Sequence, residues 1–217
     1  TFYSCLYRTL LFPREFYEFD AQGKPVYYSP YNGKIQDGYM YTDNGFWDTF
    51  RAVHPLFTLL YPEVSERVTQ SILNAYDESG FMPEWASPGH RECMIGNNSI
   101  SLLTDAWMKG IRTICPEKAL EAMIHQTEAR HPGISSVGRD GFGYYDRLGY
   151  VPYPEVHEAT AKTLEYAYAD WCVARFADSI GRKEIADTYY RKALNYRNLY
   201  YPDYGFMWAK DANGKWR

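Results

Sequence analysis

The stretch "EVHEATAKTLEYAYADWCVARFADSIG", Glu155–Gly181, decides the fold class of this chain. It is the clearest helical segment, running for about seven turns at 3.6 residues per turn. It ends at Gly181, a residue type that often takes the left-handed conformation closing a helix. The segment "RKEIADTYYRKALNYRNLYY" follows after a short connection and predicts a partner helix.

On the N-terminal side of this stretch, apolar residues recur every three or four positions in four more segments. This spacing predicts four helices, which form two further pairs. One pair begins near Phe46 and turns at Pro62, and its second helix ends at Gly80. The other begins near Ile100 and turns at Pro116. Connections are short within pairs, while those between pairs are long, aromatic and glycine-rich. Such hairpins packed side by side predict an arc of inner and outer helices.

The expected fold class is therefore mainly all-α, an array of αα-hairpins with long aromatic loops and a short β-hairpin within residues 20–43. "SGFMPEW" (Ser79–Trp85) and "YGFMWA" (Tyr204–Ala209) both follow the second helix of a pair. We expect these two loops to emerge at the same end of the arc and to line one shared mouth.

Composition excludes several classes of protein. The 217 residues carry a net charge of −4 with no Lys/Arg block, so we expect no nucleic-acid partner. Apolar runs such as "HPLFTLLY" are too short for a membrane span. The four Cys are too scattered for a zinc knuckle or a CxxC site. The aromatic share is 18%, and Tyr and Trp suit the mixed faces of sugars, although packing between helices would also use them.

The two ends of the chain favour a segment of a longer protein. The chain opens on "TFYSCLYRTLLFP", which is already helical, and stops at "NGKWR" without a closing element. We expect residues 1–217 to be part of one domain that is truncated at both ends, so the lack of a visible targeting signal excludes nothing.

The segment "NGFWDTFRAVHP" places Trp47, Asp48 and Arg51 in the first turn of a helix. The helix dipole favours an anion there, and Arg51 lies within reach of the Asp48 carboxylate. A fixed carboxylate beside a Trp ring is suited to gripping vicinal hydroxyls. The alternative is a helix cap with a salt-bridged Arg, and this stretch alone leaves both interpretations open.

Other polar residues fall in loops or at helix starts. Glu84 adjoins Trp85, and Glu92 and Asn97 precede the next inner helix. His157 and Glu158 open the long helix, where Glu158 could serve only as a cap. Further along it, Glu165 is expected to face a wet cavity or solvent, and Asp170 to pair with Arg175. No two carboxylates are close enough in sequence to form an acid/base pair.

Several blocks resemble the helical catalytic domain of glycoside hydrolase family 92. They are "WDTFRAVHPLFTLLYPE", "GFMPEW", "CMIGNNS…DAWMKGI", "LGYVP…HEATAKTLEYAYADWCVA", "YRNLYYPDYGFM" and "DANGKW", in the family's order and across nearly the whole chain. The resemblance implies an inverting, calcium-dependent exo-α-mannosidase, mostly bacterial. It also implies an (α/α)6 barrel after an N-terminal β-sandwich domain, with the active site between them.

Carried over by position, Trp47-Asp48 matches the family's sugar-contacting "WD", and Glu84-Trp85, Glu92 and the "MIG" loop match pocket-lining segments. The family's general acid and general base belong beyond Arg217, and so do most of its calcium ligands. The expectation is that this segment holds no catalytic residue and that its metal ligands stay unassigned. The expected substrate-binding residues are Trp47, Asp48, Arg51, Glu84, Trp85, Glu92, Asn97, His157 and Glu158.

The leading hypothesis is a segment of an exo-α-mannosidase that removes terminal mannose from glycans such as high-mannose N-glycans. By resemblance we expect a periplasmic, extracellular or cell-surface location. One alternative is another (α/α)6 carbohydrate-active enzyme, a glucosidase or a lyase. A second is a non-catalytic helical scaffold, since "ADTYYRKALNYRNLYYP" has the pattern of one tetratricopeptide-type helix.

Overall fold

The computed structural model describes all 217 residues. Helices dominate it, in agreement with the mainly helical class predicted. The helices are α1 (Phe2–Thr9), α2 (Phe46–Thr49), α3 (Val53–Leu60), α4 (Pro62–Ser79), α5 (Asn98–Met108), α6 (Pro116–Glu128), α7 (Phe142–Leu148), α8 (Ala159–Ser179) and α9 (Lys183–Lys192), with a 3₁₀ turn at Asn195–Leu199. None of the helices is both long and apolar enough to cross a membrane.

The strands are short and antiparallel. They are β1 (Arg14–Glu15), β2 (Glu18–Phe19), β3 (Pro25–Tyr28), β4 (Ile35–Asp37), β5 (Tyr41–Thr42), β6 (Asn44–Gly45), β7 (Trp85–Ala86), β8 (Tyr200–Tyr201) and β9 (Phe206–Met207). β2, β3 and β4 form a three-stranded sheet, and the other strands pair as β1–β5, β6–β7 and β8–β9. The hairpin predicted within residues 20–43 is therefore present, with one further strand.

The long helix α8 lies at the centre of the fold and packs against α5, α6 and α9. Its buried residues, including Val173, Phe176 and several alanines, share one wide face, while Tyr168 and Trp171 on the opposite side are 41% and 46% exposed. Small side chains on the buried face let the neighbouring helices approach closely. Leu103 of α5 and Met123 of α6 join this core with no exposed surface.

Helices form at all three predicted pairs, α3–α4, α5–α6 and α8–α9. α3 packs against α4 and α8 against α9, but α5 and α6 pack mainly against α4 and α8, so the predicted packing of α5 on α6 is wrong. Pro62 begins α4 directly after Tyr61, because a proline at the first helical position loses no hydrogen bond. Gly181, with φ at 78°, turns the chain from α8 into α9. This conformation is the left-handed one that glycine adopts most readily.

The small sheet docks on α4. The backbone N–H of Tyr41 donates to the hydroxyl of Ser71 at 2.9 Å, and the amide of Asn74 donates to the carbonyl of Tyr39 at 3.1 Å. The hydroxyls of Tyr27 and Ser29 both donate to Glu78. These polar contacts give the irregular segment before α2 a fixed position against the helices.

The prediction that the two Gly-Phe-Met loops line one shared mouth is wrong. Gly80 ends α4 in the left-handed conformation as expected, but Phe81 and Met82 are buried and Met82 belongs to the main core. Phe206, in the second loop, is 69% exposed. The first loop follows α4 straight into the space between helices, so its apolar residues fill the core.

Candidate functional site

The start of α2 is anchored by close packing between two loops. Gly45 pairs with Trp85 across β6 and β7, and a Cβ atom at Gly45 would lie 2.2 Å from Nε1 of the Trp85 indole. Only glycine leaves room for the ring there. Phe46 is buried beside this contact. The half-buried Trp85 thus supports the turn that carries Trp47 and Asp48.

Trp47 and Arg51 form one cluster with Glu165 of α8. The Arg51 guanidinium lies 5.1 Å from the Trp47 ring centroid and 4.6 Å from that of Phe50. Its Nη2 lies 3.8 Å from Oε1 of Glu165. The predicted pairing of Arg51 with Asp48 is therefore wrong. Arg51 stacks on the aromatic rings and turns toward α8, which holds the less exposed carboxylate.

Glu165 is the residue of this cluster that sequence reasoning did not select. Burial raises the pKa of its carboxyl, while Arg51, Asn98 and Trp47 oppose that rise by favouring the charged form. A Cβ atom at Gly96 would lie 2.9 Å from its Oε2 atom. Glu165 thus connects α8 to α2, to the start of α5 and to the loop before α5.

Asp48 is exposed on the same short helix. It forms no ion pair and no hydrogen bond with another residue of the chain, and the N-cap of α2 is Gly45 without a side-chain bond. The helix-cap interpretation left open by the sequence is therefore not supported. Both carboxylate oxygens remain free to accept hydrogen bonds from a ligand.

A cavity of about 210 Å³ lies beside this cluster. The cavity is lined by the loop 92–96, by Ser135, Ser136 and Gly138, and by residues at the start of α8. These are Glu158, which precedes the helix, and Lys162 and Tyr166, which lie four apart on one face of α8. Gly96 lines the cavity and also abuts Glu165, so the cavity and the Trp47 cluster are neighbours.

The backbone around this cavity is unusual. Met94 and Glu158 have φ values of 60° and 56°, and only one other non-glycine residue, Asp43, has a positive φ. Such conformations are costly for side-chain-bearing residues and concentrate at functional sites. Glu92 accepts a hydrogen bond from Ser135, which ties the two walls together.

His157 is the predicted site residue with the loosest placement. Its side chain is 90% exposed, and its Nδ1 lies 4.0 Å from the Glu158 carboxylate. It does not line the cavity. The structure thus brings Glu92 and Glu158 together, and Trp47 with Arg51, but leaves His157 at the surface.

Glu84 and Asn97 are buried in a polar network. The Glu84 carboxylate accepts hydrogen bonds from the backbone and hydroxyl of Ser99, at 3.1 and 3.0 Å, and from the amide of Gln126 at 2.9 Å. Asn97 donates to the carbonyl of Gly138 at 3.1 Å and accepts from Arg139 at 2.7 Å. Their polar atoms are occupied by the protein, so these two residues support the loops around the cavity.

The network continues to an ion pair that the sequence did not indicate. Arg139 Nη2 lies 2.8 Å from Oδ1 of Asp170, and the two side chains are 1% and 0% exposed. Tyr145 donates to the same carboxylate at 2.8 Å. The predicted pairing of Asp170 with Arg175 is wrong, because Asp170 faces the interior. Arg139 lies in a glycine-rich loop, where nothing in the local pattern indicates burial.

Glu84→Gln is expected to flatten the pH dependence of the free energy of unfolding between about pH 4.5 and 7. Burial raises the pKa of Glu84 to about 7. The folded state therefore binds this proton more tightly than the unfolded state does. The stability that Glu84 adds to the free energy of unfolding is fully present below pH 4.5 and is lost as the pH rises through 7. The wild-type slope from this group is at most about 1.4 kcal/mol per pH unit.

The measurement is urea unfolding of the full-length protein across this pH range. Glu117→Gln, at the exposed start of α6, is the control and should leave the slope as it is in the wild type. A Glu84→Gln variant with the wild-type slope would contradict the assignment of the buried proton.

No group of three or more His, Cys, Asp or Glu residues in this chain is placed to hold a metal ion. Asp140 forms ion pairs with Lys162, which lines the cavity, at 2.9 Å and with Arg130 at 3.2 Å. The residues present therefore do not fit a calcium site of their own, and no chemical step is assigned to a metal here.

Comparison with known proteins gives a consistent result. The model of the glycosyl hydrolase family 92 catalytic domain matches residues 1–217. The inverting mannosidase BT2199 of Bacteroides thetaiotaomicron is 83% identical, with a TM-score of 0.99, over all of this chain and 29% of its own. The α-mannosidase BT3965 of the same organism, solved in complex with mannoimidazole, is 32% identical, with a TM-score of 0.88, over all of this chain and 28% of its own.

A curated protein of Arthroderma benhamiae, described as an uncharacterized secreted glycosidase, is 23% identical over 238 residues. That match covers all of this chain and 26% of the relative. The chain thus spans less than a third of the length of the proteins it resembles.

Proposed function

The chain belongs to glycosyl hydrolase family 92, and from that premise we propose that it is a segment of an inverting exo-α-mannosidase. In this proposal the segment supplies contacts to the sugar, and the general acid and general base lie outside these 217 residues. The observation that carries the proposal is the 83% identity, over the entire chain, to a protein described as an inverting mannosidase.

The geometry at α2 supports the sugar-binding part of the proposal. Asp48 offers two free carboxylate oxygens, enough to accept from two hydroxyls of one ring. Trp47 beside it offers an aromatic face for the C–H side of a sugar. Arg51, stacked on Trp47, adds donors on the same short segment. Acceptors, donors and an aromatic face together are the features that a monosaccharide requires.

The remaining predicted residues fall into two groups in this proposal, those that contact the sugar and those that support the residues around it. Glu92, Glu158 and the exposed His157 stand around or beside the cavity, and we keep them as proposed sugar contacts. Glu84 and Asn97 hold the cavity walls from behind. Trp85 supports the turn before Trp47. Because the cavity and the Trp47 cluster are adjacent, a single glycan could extend across both.

The full-length architecture also belongs to the proposal. The three helix pairs are half of the six that an (α/α)6 barrel needs, and residues 1–217 would form part of that domain, with an N-terminal β-sandwich domain in the same chain. The secreted relative supports a periplasmic, extracellular or cell-surface location. The proposed substrate is terminal α-mannose on glycans such as high-mannose N-glycans, with calcium bound mainly by residues outside this segment.

The test is hydrolysis by the full-length protein of an aryl α-mannoside, beside the matching α-glucoside and β-mannoside. The proposal expects turnover of the α-mannoside alone and release of β-mannose, observed by proton NMR as the first-formed anomer. Preference for the α-glucoside would favour another carbohydrate-active enzyme. Absence of turnover on all three would contradict the proposal.

The isolated segment 1–217 is expected to show no hydrolysis of the same α-mannoside. An inverting glycosidase needs two carboxyl groups roughly 6.5–9.5 Å apart that act as acid and base across the bond. Both are proposed to lie outside this segment. Turnover by a purified, folded segment at a rate comparable with the full-length protein would show that the catalytic pair lies within it.

A further inference from the structure

Glu165 stands where three separate parts of the chain meet. It projects from α8, and its carboxylate lies 3.8 Å from Arg51 of the segment after α2. The amide of Asn98 at the start of α5 and the indole of Trp47 are near enough to lower its pKa. Gly96, from the loop that walls the cavity, lies against its carboxylate.

We propose that Glu165 is a positioning residue, which holds Trp47 and Arg51 in the orientation that receives the sugar. The inference rests on the proposed function, because it assigns a role within that sugar-binding surface. Glu165 itself stays behind the two side chains and acts through them.

The first support is the difference in exposure across the ion pair. The Arg51 side chain is 53% exposed and the Glu165 side chain 20%. A long exposed arginine samples many rotamers and loses this freedom when a ligand orders it. The Glu165 carboxylate on α8 limits the rotamers of Arg51 before a ligand binds. Stacking of the guanidinium on Trp47 and Phe50 limits them further.

The second support is the tight seat of the Glu165 carboxylate. A Cβ atom at Gly96 would come within 2.9 Å of Oε2 and 3.1 Å of the Glu165 Cβ atom. Glycine at this position leaves just the space that the carboxylate occupies. The side chain therefore has little room to move away from Trp47 and Arg51. A residue that orients other side chains needs to be restrained in this way.

The third support is the environment of the indole. The indole of Trp47 is near enough to the Glu165 carboxylate to lower its pKa, and the Arg51 guanidinium lies over the ring at 5.1 Å from its centroid. A tryptophan that stacks against a sugar gains from such restraint, because the cost of ordering the ring is met before binding. Loss of the carboxylate would leave the ring free to rotate.

The experiment is a double-mutant cycle in the full-length enzyme with Glu165→Gln, Trp47→Phe and the double variant. Glu165→Gln is expected to lower kcat/KM on an aryl α-mannoside by about tenfold, since misplaced contacts reduce productive binding. The loss should appear in KM more than in kcat, because Trp47 and Arg51 contact the sugar before and during bond cleavage. In the Trp47→Phe background the same change should add less than about twofold, because two residues in contact are coupled.

Asp178→Asn is the matched control, because it removes another ion-paired carboxylate, from the far end of α8. It should leave KM and kcat at wild-type values. A merely structural role for Glu165 predicts a lower kcat and melting temperature with KM unchanged, and that result would overturn the proposal. So would losses that multiply in the double variant.

A second variant, Glu165→Asp, keeps the charge but draws it back by one methylene group. The same rise in KM is expected from it, which provides the test if Glu165→Gln does not fold. If neither variant folds, Glu165 is an anchor of the fold and the proposal fails. An inactive wild type would contradict the proposed function as well, whereas an active wild type with an unaffected Glu165→Gln contradicts this inference alone.

Discussion

Asp48→Asn in the full-length enzyme is expected to reduce kcat/KM on an α-mannoside by at least about tenfold. Hydrogen bonds to a charged group contribute about 1.5–3 kcal/mol each, and 1.4 kcal/mol corresponds to roughly a factor of ten in rate. The Asp48 carboxylate is exposed and has no partner within the chain, so a sugar would meet both of its oxygens. The melting temperature should stay unchanged, because no protein contact is lost.

The choice of asparagine separates two roles for this position. Asn caps a helix about as well as Asp, so a capping residue would tolerate the change without loss of stability or activity. Glu63→Gln is the control, since Glu63 is an exposed acid in the first turn of α4. It should leave kcat/KM as in the wild type. An Asp48→Asn enzyme with wild-type kcat/KM would remove Asp48 from the proposed site.

Asp170→Ala should lower the free energy of unfolding by about 3–5 kcal/mol, since removal of one partner strands a buried charge. Asp170 and Arg139 lie 2.8 Å apart with almost no exposure. Arg139 also donates to Asn97 and to the carbonyl of Tyr166, at 2.7 and 3.1 Å. The guanidinium would remain buried with these two acceptors and no counter-charge.

Urea unfolding of the full-length protein, compared at the midpoint and slope, measures this loss. Asp105→Ala is the control, because Asp105 forms an exposed i,i+4 pair with Lys109 at 2.7 Å. That change should cost no more than about 0.5 kcal/mol. Equal effects from the two substitutions would show that the interior pair carries no special weight.

The longer helices could be predicted from the sequence because each depends on a local pattern, whereas the short helix α7 lies within a glycine-rich connection and was not predicted. The long segment from Glu155 to Gly181 contains α8, and Pro62 and Gly80 mark the ends of α4 within a residue. The α3–α4 and α8–α9 pairs follow from short connections, since few residues between two helices bring them side by side, whereas α5 and α6 pack mainly against α4 and α8. The position of Trp47 and Asp48 at the start of a helix was likewise predicted, but the helix expected to continue to Pro62 is interrupted between Thr49 and Val53, and Arg51 lies in that turn.

The interaction partners of the polar side chains could not be predicted from local sequence patterns. Arg51 was expected to hold Asp48, a neighbour on its own helix, and instead contacts Glu165 of α8. Asp170 was expected to pair with Arg175 and instead meets Arg139 from a glycine-rich loop. Glu84, expected at a sugar-binding surface, accepts hydrogen bonds from Ser99 and Gln126 in the interior.

The sequence by itself determined where the longer helices lie and which family the chain resembles. Only the tertiary structure decided which charged groups are buried, which stay free for a ligand, and that Glu165 lies beside Arg51 and Trp47. The physical reason is that helix formation depends on residues a few positions apart, so apolar periodicity and capping residues in the sequence indicate it directly. The state of a charge depends on its desolvation and on partners brought from distant parts of the chain by packing.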